Sequence, residues 1–314
     1  MTLLLTTEAM RGIIPKAPSE VINAFVAKQH ILDRAGITGT RRRLAWFFAN
    51  IEHECDGFNV NGFVKNLTEN IGAYTHARMA QVWPNRFSSA AAVAARFGSG
   101  PGWQARAFDQ IYGNRMGNRP GTTDGSLFIG RGGPQWTGRD GYEALARILP
   151  TLVPGLGKIT AEQAVGWSTK LEYQPEVCVA FWMWKNLNRF ADANNWVGLV
   201  KAWNGGSNGM ADRNAKMAGN DPFIKRLQDV AQKTVAVEAL PDVPKPKPAP
   251  SPAPAPATPP AKPSTTARDA TTGAVVVGGA TAAGAWFGDW LSAGLAFGIV
   301  AMAVATIIVI WRRK

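Results

Sequence analysis

Glu54 lies at a position where a helical pattern calls for an apolar side chain. In the segment FFANIEHECDGF, residues 47–58, the side chains Phe47, Phe48 and Ile51 recur at helical spacing and define a buried face. Glu54 follows Ile51 by three positions and continues that face. Burial and the negative end of the helix dipole both favour the neutral form of a carboxyl group at such a place. A carboxyl that keeps its proton near neutral pH suits general-acid catalysis, whereas the alternative is an exposed glutamate at a frayed helix end.

Acid–base cleavage of a glycosidic bond needs a second carboxylate on the other side of the substrate. Asp56 and Glu69 are the candidates that follow Glu54. Asp56 is too close to Glu54 to face it across a sugar ring, and it precedes a glycine, so we interpret it as a turn residue. Glu69 follows the glycine-containing segment NVNGFVKN, residues 59–66, which can carry it to the far wall of a cleft.

The helix that ends near Glu54 is the strongest element of the sequence. Thr40 is a good N-cap for the segment RRRLAWFFANIEHEC, residues 41–55, and Asp56 with Gly57 predicts its end. A second segment, PEVCVAFWMWKNLNRFAD at 175–192, is apolar on all sides. We predict that it forms a central buried helix whose tryptophans belong to the core. Helical patterns alternate with Gly/Asn-rich loops up to about residue 236, which predicts a mainly α domain.

The net charge limits the possible partners. The 314 residues carry a formal charge of +12, with a sequence pI near 10.0, which favours a polyanionic partner. No basic run with interleaved aromatic residues indicates nucleic acid, which leaves anionic lipid or an acidic cell wall.

We expect no metal or other cofactor, because HEC at 53–55 is not the zinc motif HExxH. Cys55 and Cys178 are interpreted as free thiols, and the N-terminus is no convincing secretory signal.

The composition divides the chain into three parts: a globular domain at 1–238, a Pro/Ala-rich linker at 239–270 and an apolar segment at 271–314. The linker composition predicts a disordered, extended polyproline spacer. Residues 290–311 contain no charge, have a tryptophan at each end and precede Arg-Arg-Lys, as expected of a transmembrane helix with a cytoplasmic C-terminus. We therefore expect a single-pass anchor with the globular domain on the periplasmic or wall side. A second, weaker span at 271–288 would instead make a hairpin and place the domain inside.

Several blocks of the sequence occur together in a recognisable order. They are RRRLAWFFANIEHECDGF, TENIGAY, VWPNRF, YGNRMGN, FIGRGGPQWTGRDGY and AWNGGSNGMADR. In this order they resemble the motifs of glycoside hydrolase family 19, in its phage-endolysin and chitinase-like branch, over roughly residues 35–228. The resemblance implies a two-lobed, lysozyme-like helical fold and inverting cleavage of β-1,4 links to N-acetylhexosamine.

The resemblance also implies roles for particular residues. Glu54 matches the general acid, and Glu69 matches the general base that activates water. The positions that match substrate contacts are Gln135, Thr137, Asn204 and Arg213. From the residues alone, GRGGPQWTGR also fits a structural turn, and AWNGG also fits a helix end with a glycine cap. Trp136, beside Gln135, is the best candidate for stacking on a sugar.

The sequence departs from the family motifs at three positions. Cys55 stands where serine is usual, Asp56 where glycine is usual, and Gly141 replaces an asparagine. These differences affect the choice of substrate more than the chemistry. We expect a membrane-tethered muramidase of the endolysin type that acts on peptidoglycan, with a chitinase as the nearest alternative. A non-catalytic wall-binding protein or a holin-like role for the apolar tail is the alternative from another class.

Overall fold

A computed structural model describes residues 1–61 and 65–230, and this part of the chain is mainly helical, as the sequence predicts. The linker at 239–270 and the apolar segment at 271–314 lie outside the described residues. Within the described ranges, no helix is both long enough and apolar enough to cross a membrane. The helices are α1 (Thr7–Ile13), α2 (Ser19–Ala27), α3 (Gln29–Arg34), α4 (Arg41–Cys55), α5 (His76–Val82), α6 (Ala90–Phe97), α7 (Trp103–Tyr112), α8 (Asp124–Leu127), α9 (Arg139–Leu152), α10 (Ala161–Ser168), α11 (Gln174–Trp184), α12 (Asn188–Asp192), α13 (Trp196–Asn204) and α14 (Met210–Lys225).

Helix α4 begins and ends where the sequence predicts. The Thr40 hydroxyl accepts a hydrogen bond from the Arg43 amide at 3.2 Å, so it satisfies a donor that the first helical turn leaves free. Asp56 takes up a left-handed conformation with φ of 52°, and Gly57 follows with φ of 64°. These two residues end the helix directly after Cys55. The position of Glu54 in the last turn is thereby confirmed.

The predicted core face of α4 is buried. Leu44, Phe47, Phe48 and Ile51 have no measurable exposure, and they belong to a large hydrophobic cluster that we call the main core. Helix α11 crosses this core with Val177 to Trp182 all buried, which confirms a central buried helix for the first part of the segment predicted at 175–192. The rest of that segment forms a separate short helix, α12, so the prediction of one continuous helix is wrong. Helix α14 packs along α4, and this contact places the start of α14 beside the end of α4.

A second hydrophobic cluster lies apart from the main core. It is formed by α5, α6, α7 and the segment before Gly130, and we call it the small core. Its centre contains Trp83, Phe108 and Tyr112, whose rings meet edge to face or tilted at 5.5–6.3 Å. The described residues therefore bury two separate sets of apolar side chains, and the chain passes from one to the other just after Glu69.

The two ends of the described chain lie side by side. Strand β1 (Thr2–Leu3) pairs antiparallel with β2 (Asp229–Val230), with Thr2 opposite Val230. Arg41, at the start of α4, reinforces the pairing because its guanidinium donates to the Leu227 carbonyl at 3.0 Å. The N-terminus is thus fixed at the point where the chain leaves the described domain.

We predict that Phe48→Ala lowers the free energy of unfolding by about 3–5 kcal/mol, because it removes a fully buried ring from the main core. The Phe48 ring lies 5.4 Å from that of Phe25 and 5.1 Å from that of Phe47. Urea unfolding followed by circular dichroism measures the change. Val197→Ala, at a helical position that is 48% exposed, is the control and should stay within about 0.5 kcal/mol of the wild type. Equal effects of the two substitutions would contradict the assigned core.

Candidate active site

Glu54 is held by an arginine from the first turn of α14. Arg213 Nη2 donates to Glu54 Oε1, and Arg213 Nη1 donates to Asn50 Oδ1 at 2.5 Å. Asn50 lies one turn before Glu54 and donates in turn to the Trp46 carbonyl at 2.7 Å. The side chain of Glu54 is 11% exposed, so it is largely enclosed. This network fixes the orientation of the Glu54 carboxyl on the surface of α4.

Arg213 is therefore not a substrate contact, and the expectation from the family motif needs correction. Its side chain is 1% exposed, and both terminal nitrogens are occupied by Asn50 and Glu54. The sequence gives no sign of the contact with Glu54, because the two residues are 159 positions apart in the chain. Arg213 positions Glu54.

A second carboxyl of α4, Glu52, also reaches α14 but is buried away from the surface. It is 7% exposed, and Asn220 Nδ2 donates to its Oε1. Burial raises the pKa of Glu52 to about 7, although the Asn220 hydrogen bond and the charge of Lys216 act in the opposite direction. The sequence gave no reason to single out Glu52. Glu52 and Glu54 both lie near the end of α4, and they differ only in the direction that each side chain takes around the helix axis.

Glu69 is fixed against the glycine-rich loop at 130–138 by backbone pairing. The Glu69 amide donates to the Gly130 carbonyl at 2.8 Å, and the Gly132 amide donates to the Leu67 carbonyl at 2.9 Å. The Gly130 amide also donates to Glu69 Oε2 at 3.3 Å. Burial raises the pKa of Glu69 to about 7, while this hydrogen bond and the charge of Arg131 lower it by less. A carboxyl with such a pKa exchanges its proton near neutral pH, which suits a general base.

Gln135 and Thr137 lie around the same glycine as Glu69. A methyl group added at Gly130 would lie 2.7 Å from Gln135 Oε1 and 3.4 Å from Thr137 Oγ1. Gln135 adopts φ of 59° and donates from Nε2 to the Gly132 carbonyl at 2.9 Å, so its amide is held in place. The Thr137 hydroxyl donates to the Gln135 carbonyl at 2.9 Å. The structure therefore brings together three of the predicted site residues at one loop.

Trp136, by contrast, points away from this group and into the main core. It has no measurable exposure, and its indole N–H donates to the Val177 carbonyl at 3.1 Å. The ring stacks on Trp184 with centroids 5.2 Å apart and meets Phe181 edge to face at 5.0 Å. The prediction that Trp136 stacks on a sugar is wrong, because the indole has no free face that a ligand can reach.

Asn204 is the last residue of α13 and is followed by the predicted glycine cap, Gly205, with φ of 79°. Its side chain is occupied within its own loop. Asn204 Oδ1 accepts from the Gly206 amide at 2.9 Å, and Nδ2 donates to the Asn208 carbonyl at 3.2 Å. Asn204 therefore shapes the short loop that leads into α14, and its role as a substrate contact stays a prediction.

Gly133 joins the end of α4 to the glycine-rich loop. A methyl group at Gly133 would lie 2.6 Å from the Phe58 ring and 2.8 Å from Cys178 Sγ, so only glycine fits at this position. Phe58 is fixed in turn by a hydrogen bond from its amide to Cys55 Sγ at 3.2 Å. Both cysteines are buried free thiols whose pKa values are raised by burial. This contact sets the loop that carries Gln135 directly against the α4 terminus that carries Glu54.

The site thus contains two carboxyl groups on different elements. Glu54 has an arginine beside it, and Glu69 has an amide donor and two polar side chains around it. Over the described residues, no group of three or more His, Cys, Asp or Glu side chains is placed to hold a metal ion. Glu54 and Glu69 are groups that can exchange protons, and the Thr137 hydroxyl can bind a polar ligand, whereas Gln135 is only 7% exposed.

Comparison of the chain with protein-family models and with curated proteins gave no match. The function is therefore argued from the geometry above and from the quoted motifs.

We predict that Arg213→Met destabilises the fold by about 3–5 kcal/mol, because it leaves Glu54 and Asn50 without their buried partner. Urea unfolding measures the loss. The matched control is Lys16→Met, which removes a cation that contacts Asp56, at the same end of α4, at 2.6 Å. Lys16 is 54% exposed, so its removal should change the free energy of unfolding by no more than about 1 kcal/mol. A loss for Arg213→Met as small as that of the control would contradict the buried network.

Proposed function

We propose that this protein is an inverting glycoside hydrolase that cleaves β-1,4 links of peptidoglycan. The observation that carries the proposal is the placement of Glu69, Gln135 and Thr137 around Gly130, in a loop that packs through Gly133 against the α4 terminus with Glu54. A lysozyme-like, two-lobed fold of glycoside hydrolase family 19 belongs to the same proposal. The two separate hydrophobic clusters and the ordered motifs support it.

Glu54 acts as the general acid in this mechanism. It protonates the glycosidic oxygen as the bond to the leaving sugar breaks. Arg213 donates to its Oε1 and holds the carboxyl group beside the start of α14. Because Arg213 is itself held by Asn50, the carboxyl keeps one orientation through the reaction, and this positional constraint contributes to the rate.

Glu69 acts as the general base. It removes a proton from a water molecule that attacks the anomeric carbon from the face opposite the leaving group, which inverts the configuration. Its pKa of about 7 is well matched to this role, since a stronger acid would accept the proton poorly and a much weaker one would already be protonated. In this proposal Gln135 and Thr137, whose polar atoms lie 2.7 and 3.4 Å from a methyl position at Gly130, bind the water or an acetamido group.

The choice of peptidoglycan over chitin rests on charge and on the rest of the chain. A formal charge of +12 favours an anionic polymer over neutral chitin. The predicted linker and single-pass anchor would tether the domain to a membrane within reach of a wall, with its C-terminus in the cytoplasm. A chitinase that uses the same residues is the second candidate, and the same assay distinguishes the two.

We predict that Glu54→Gln abolishes cleavage and that Glu69→Gln lowers kcat by about 10²–10⁴-fold, because each removes a proton-transfer group. The whole chain is incubated with purified peptidoglycan and, separately, with chitin oligomers, and the products are read by mass spectrometry. Muropeptides that are released by the wild type and not by Glu54→Gln support the proposal. Cleavage of the chitin oligomers without cleavage of peptidoglycan favours the chitinase. Normal turnover by Glu54→Gln would reject the assignment of the acid.

The control for both variants is Glu143→Gln, which neutralises a carboxylate on the outer face of α9 that is 57% exposed. It should retain wild-type turnover. Circular dichroism of all three variants must match the wild type for the loss to be assigned to chemistry. The absence of products from every substrate would instead favour a wall-binding or holin-like protein.

We further predict that kcat/KM rises with pH along a limb centred near pH 7. Glu69 has a pKa of about 7 and works as a base only when ionised, so the active fraction grows as the pH increases through that value. Initial rates between about pH 5 and pH 9 test this. The residual activity of Glu69→Gln should lack the rising limb, and a limb that persists in this variant would assign the titration to another group.

A further inference from the structure

The peptide group between Ile129 and Gly130 contacts Glu69 on one side and two further side chains on the other. Its N–H, which belongs to Gly130, donates to Glu69 Oε2 at 3.3 Å. Its carbonyl oxygen, which belongs to Ile129, accepts from the Tyr142 hydroxyl at 2.9 Å and from Arg131 Nη1 at 3.2 Å. A peptide group is rigid and planar, so side chains that fix the direction of its carbonyl also fix the direction of its N–H.

Tyr142, in the first turn of α9, is a buried hydrogen-bond donor to this peptide. It has no measurable exposure, and its ring packs on that of Phe128 with centroids 5.2 Å apart. Burial raises the pKa of the Tyr142 hydroxyl, so the group keeps its proton at neutral pH and remains a donor. Its hydrogen bond to the Ile129 carbonyl is itself buried, where water does not compete for the carbonyl and the bond polarises the peptide.

Arg131 adds a positive charge on the same side of the peptide. Its Nη1 also donates to the Leu127 carbonyl at 2.7 Å and lies 3.3 Å from Tyr142 Oη. Its main chain is fixed by two hydrogen bonds with Trp136, at 2.8 and 3.1 Å. None of the ion pairs among the described residues includes Arg131. Its guanidinium is thus bonded to carbonyl oxygens, and no carboxylate in contact with it neutralises its charge.

The other titratable groups that interact with Glu69 are neutral near pH 7. Tyr74 and Tyr112, on the side of the small core, have pKa values raised first by burial and then by the charge of Glu69. Tyr142, on the opposite side, is neutral for the same reasons. The Gly130 N–H and the charge of Arg131 are therefore the interactions that favour the ionised form of Glu69, and they offset part of the effect of burial.

We propose that Tyr142 and Arg131 are positioning residues, which hold the peptide at 129–130 so that its N–H stabilises the ionised form of the general base, Glu69. The inference rests on the proposed function and deepens it by naming residues that set the pH range of the base without contact with the substrate. When either side chain is lost, the N–H is held less firmly and Glu69 keeps its proton to a higher pH. Less of the enzyme is then active at neutral pH.

The first test measures the titration of Glu69 directly, without any substrate. The whole chain, in detergent solution, carries glutamate labelled with carbon-13 at the carboxyl group and is titrated between about pH 5 and pH 9 by NMR. The Glu69 signal is identified by its absence from Glu69→Gln. We expect a midpoint near pH 7 in the wild type. The midpoint should be higher by about 0.5 pH unit in Tyr142→Phe and by about 1 unit in Arg131→Met.

The matched controls make the same chemical changes elsewhere in the domain. Tyr173→Phe removes the hydroxyl of a ring that packs against Trp167, and Arg147→Met removes an exposed guanidinium from α9. Both controls should keep the wild-type midpoint.

The second test is the pH profile of kcat/KM on peptidoglycan. In Tyr142→Phe the rising limb should move to higher pH, so that kcat/KM falls about threefold on the limb and returns to the wild-type value above it. In Arg131→Met the fall on the limb should be about tenfold. A merely structural role would instead lower kcat/KM by the same factor at every pH.

An unchanged Glu69 midpoint in either variant, or an equal shift in its control, rejects the role of that residue. If the wild type cleaves peptidoglycan in that case, the proposed function stands and only the positioning role is lost. If the midpoints shift as expected but no polymer is cleaved, the hydrogen-bonded arrangement stands and the proposed function is rejected. Should Arg131→Met fail to fold, Tyr142→Phe alone decides, because it removes one hydroxyl and keeps the packed ring.

Discussion

The buried contact between Arg213 and Glu54 is the constraint on which the rest of the site depends. A guanidinium that is 1% exposed needs partners for its charge and its donors, and here Glu54 and Asn50, on successive turns of α4, accept from its two terminal nitrogens, while Nε has no partner among the described residues. Helix α14 must therefore begin beside the end of α4. The loop that contains Asn204 leads into α14, so its place follows from the same contact.

The second constraint is the close approach of backbone at Gly130 and Gly133. At each position a side chain would collide with a neighbour, Gln135 in one case and Phe58 with Cys178 in the other. The absence of a side chain at Gly130 leaves room for the Gln135 amide, and at Gly133 it lets the loop rest against Phe58, just past the end of α4. The backbone pairing of Glu69 with Gly130 and the contact of Gly133 with Phe58 join the carboxyl-bearing elements, and both cysteines are free.

The raised pKa values of two buried carboxyl groups lower the free energy of unfolding by an amount that depends on pH. Glu52 and Glu69 both have pKa values raised from 4.5 to about 7, with burial as the main cause. Between about pH 4.5 and pH 7 the folded protein keeps two protons that the unfolded chain releases. The free energy of unfolding therefore falls as the pH rises through this range. For Glu69 this loss accompanies a pKa that suits a base. Glu52 has no such role, and its hydrogen bond to Asn220 offsets part of the cost.

The sequence by itself determined the local features of this protein. The Thr40 cap, the buried face of α4, its end at Asp56 and the glycine cap after Asn204 follow from short-range rules, and the structure has them where the pattern predicts. It also picked out Glu54, because an acidic residue on an apolar face violates the surrounding pattern, whereas the loop of Gln135 and Thr137 was singled out by its resemblance to a family motif.

Only the tertiary structure decided which side chains face the site and which support it. Sequence reasoning assigned Arg213 and Trp136 to the substrate, yet one is enclosed against Glu54 and the other is buried under Trp184. Arg213 is 159 positions from its partner in the chain. The pairing of Glu69 with Gly130 is equally non-local. The physical reason is that caps and periodicity depend on neighbours within a few residues, whereas burial and charge pairing depend on how distant helices pack.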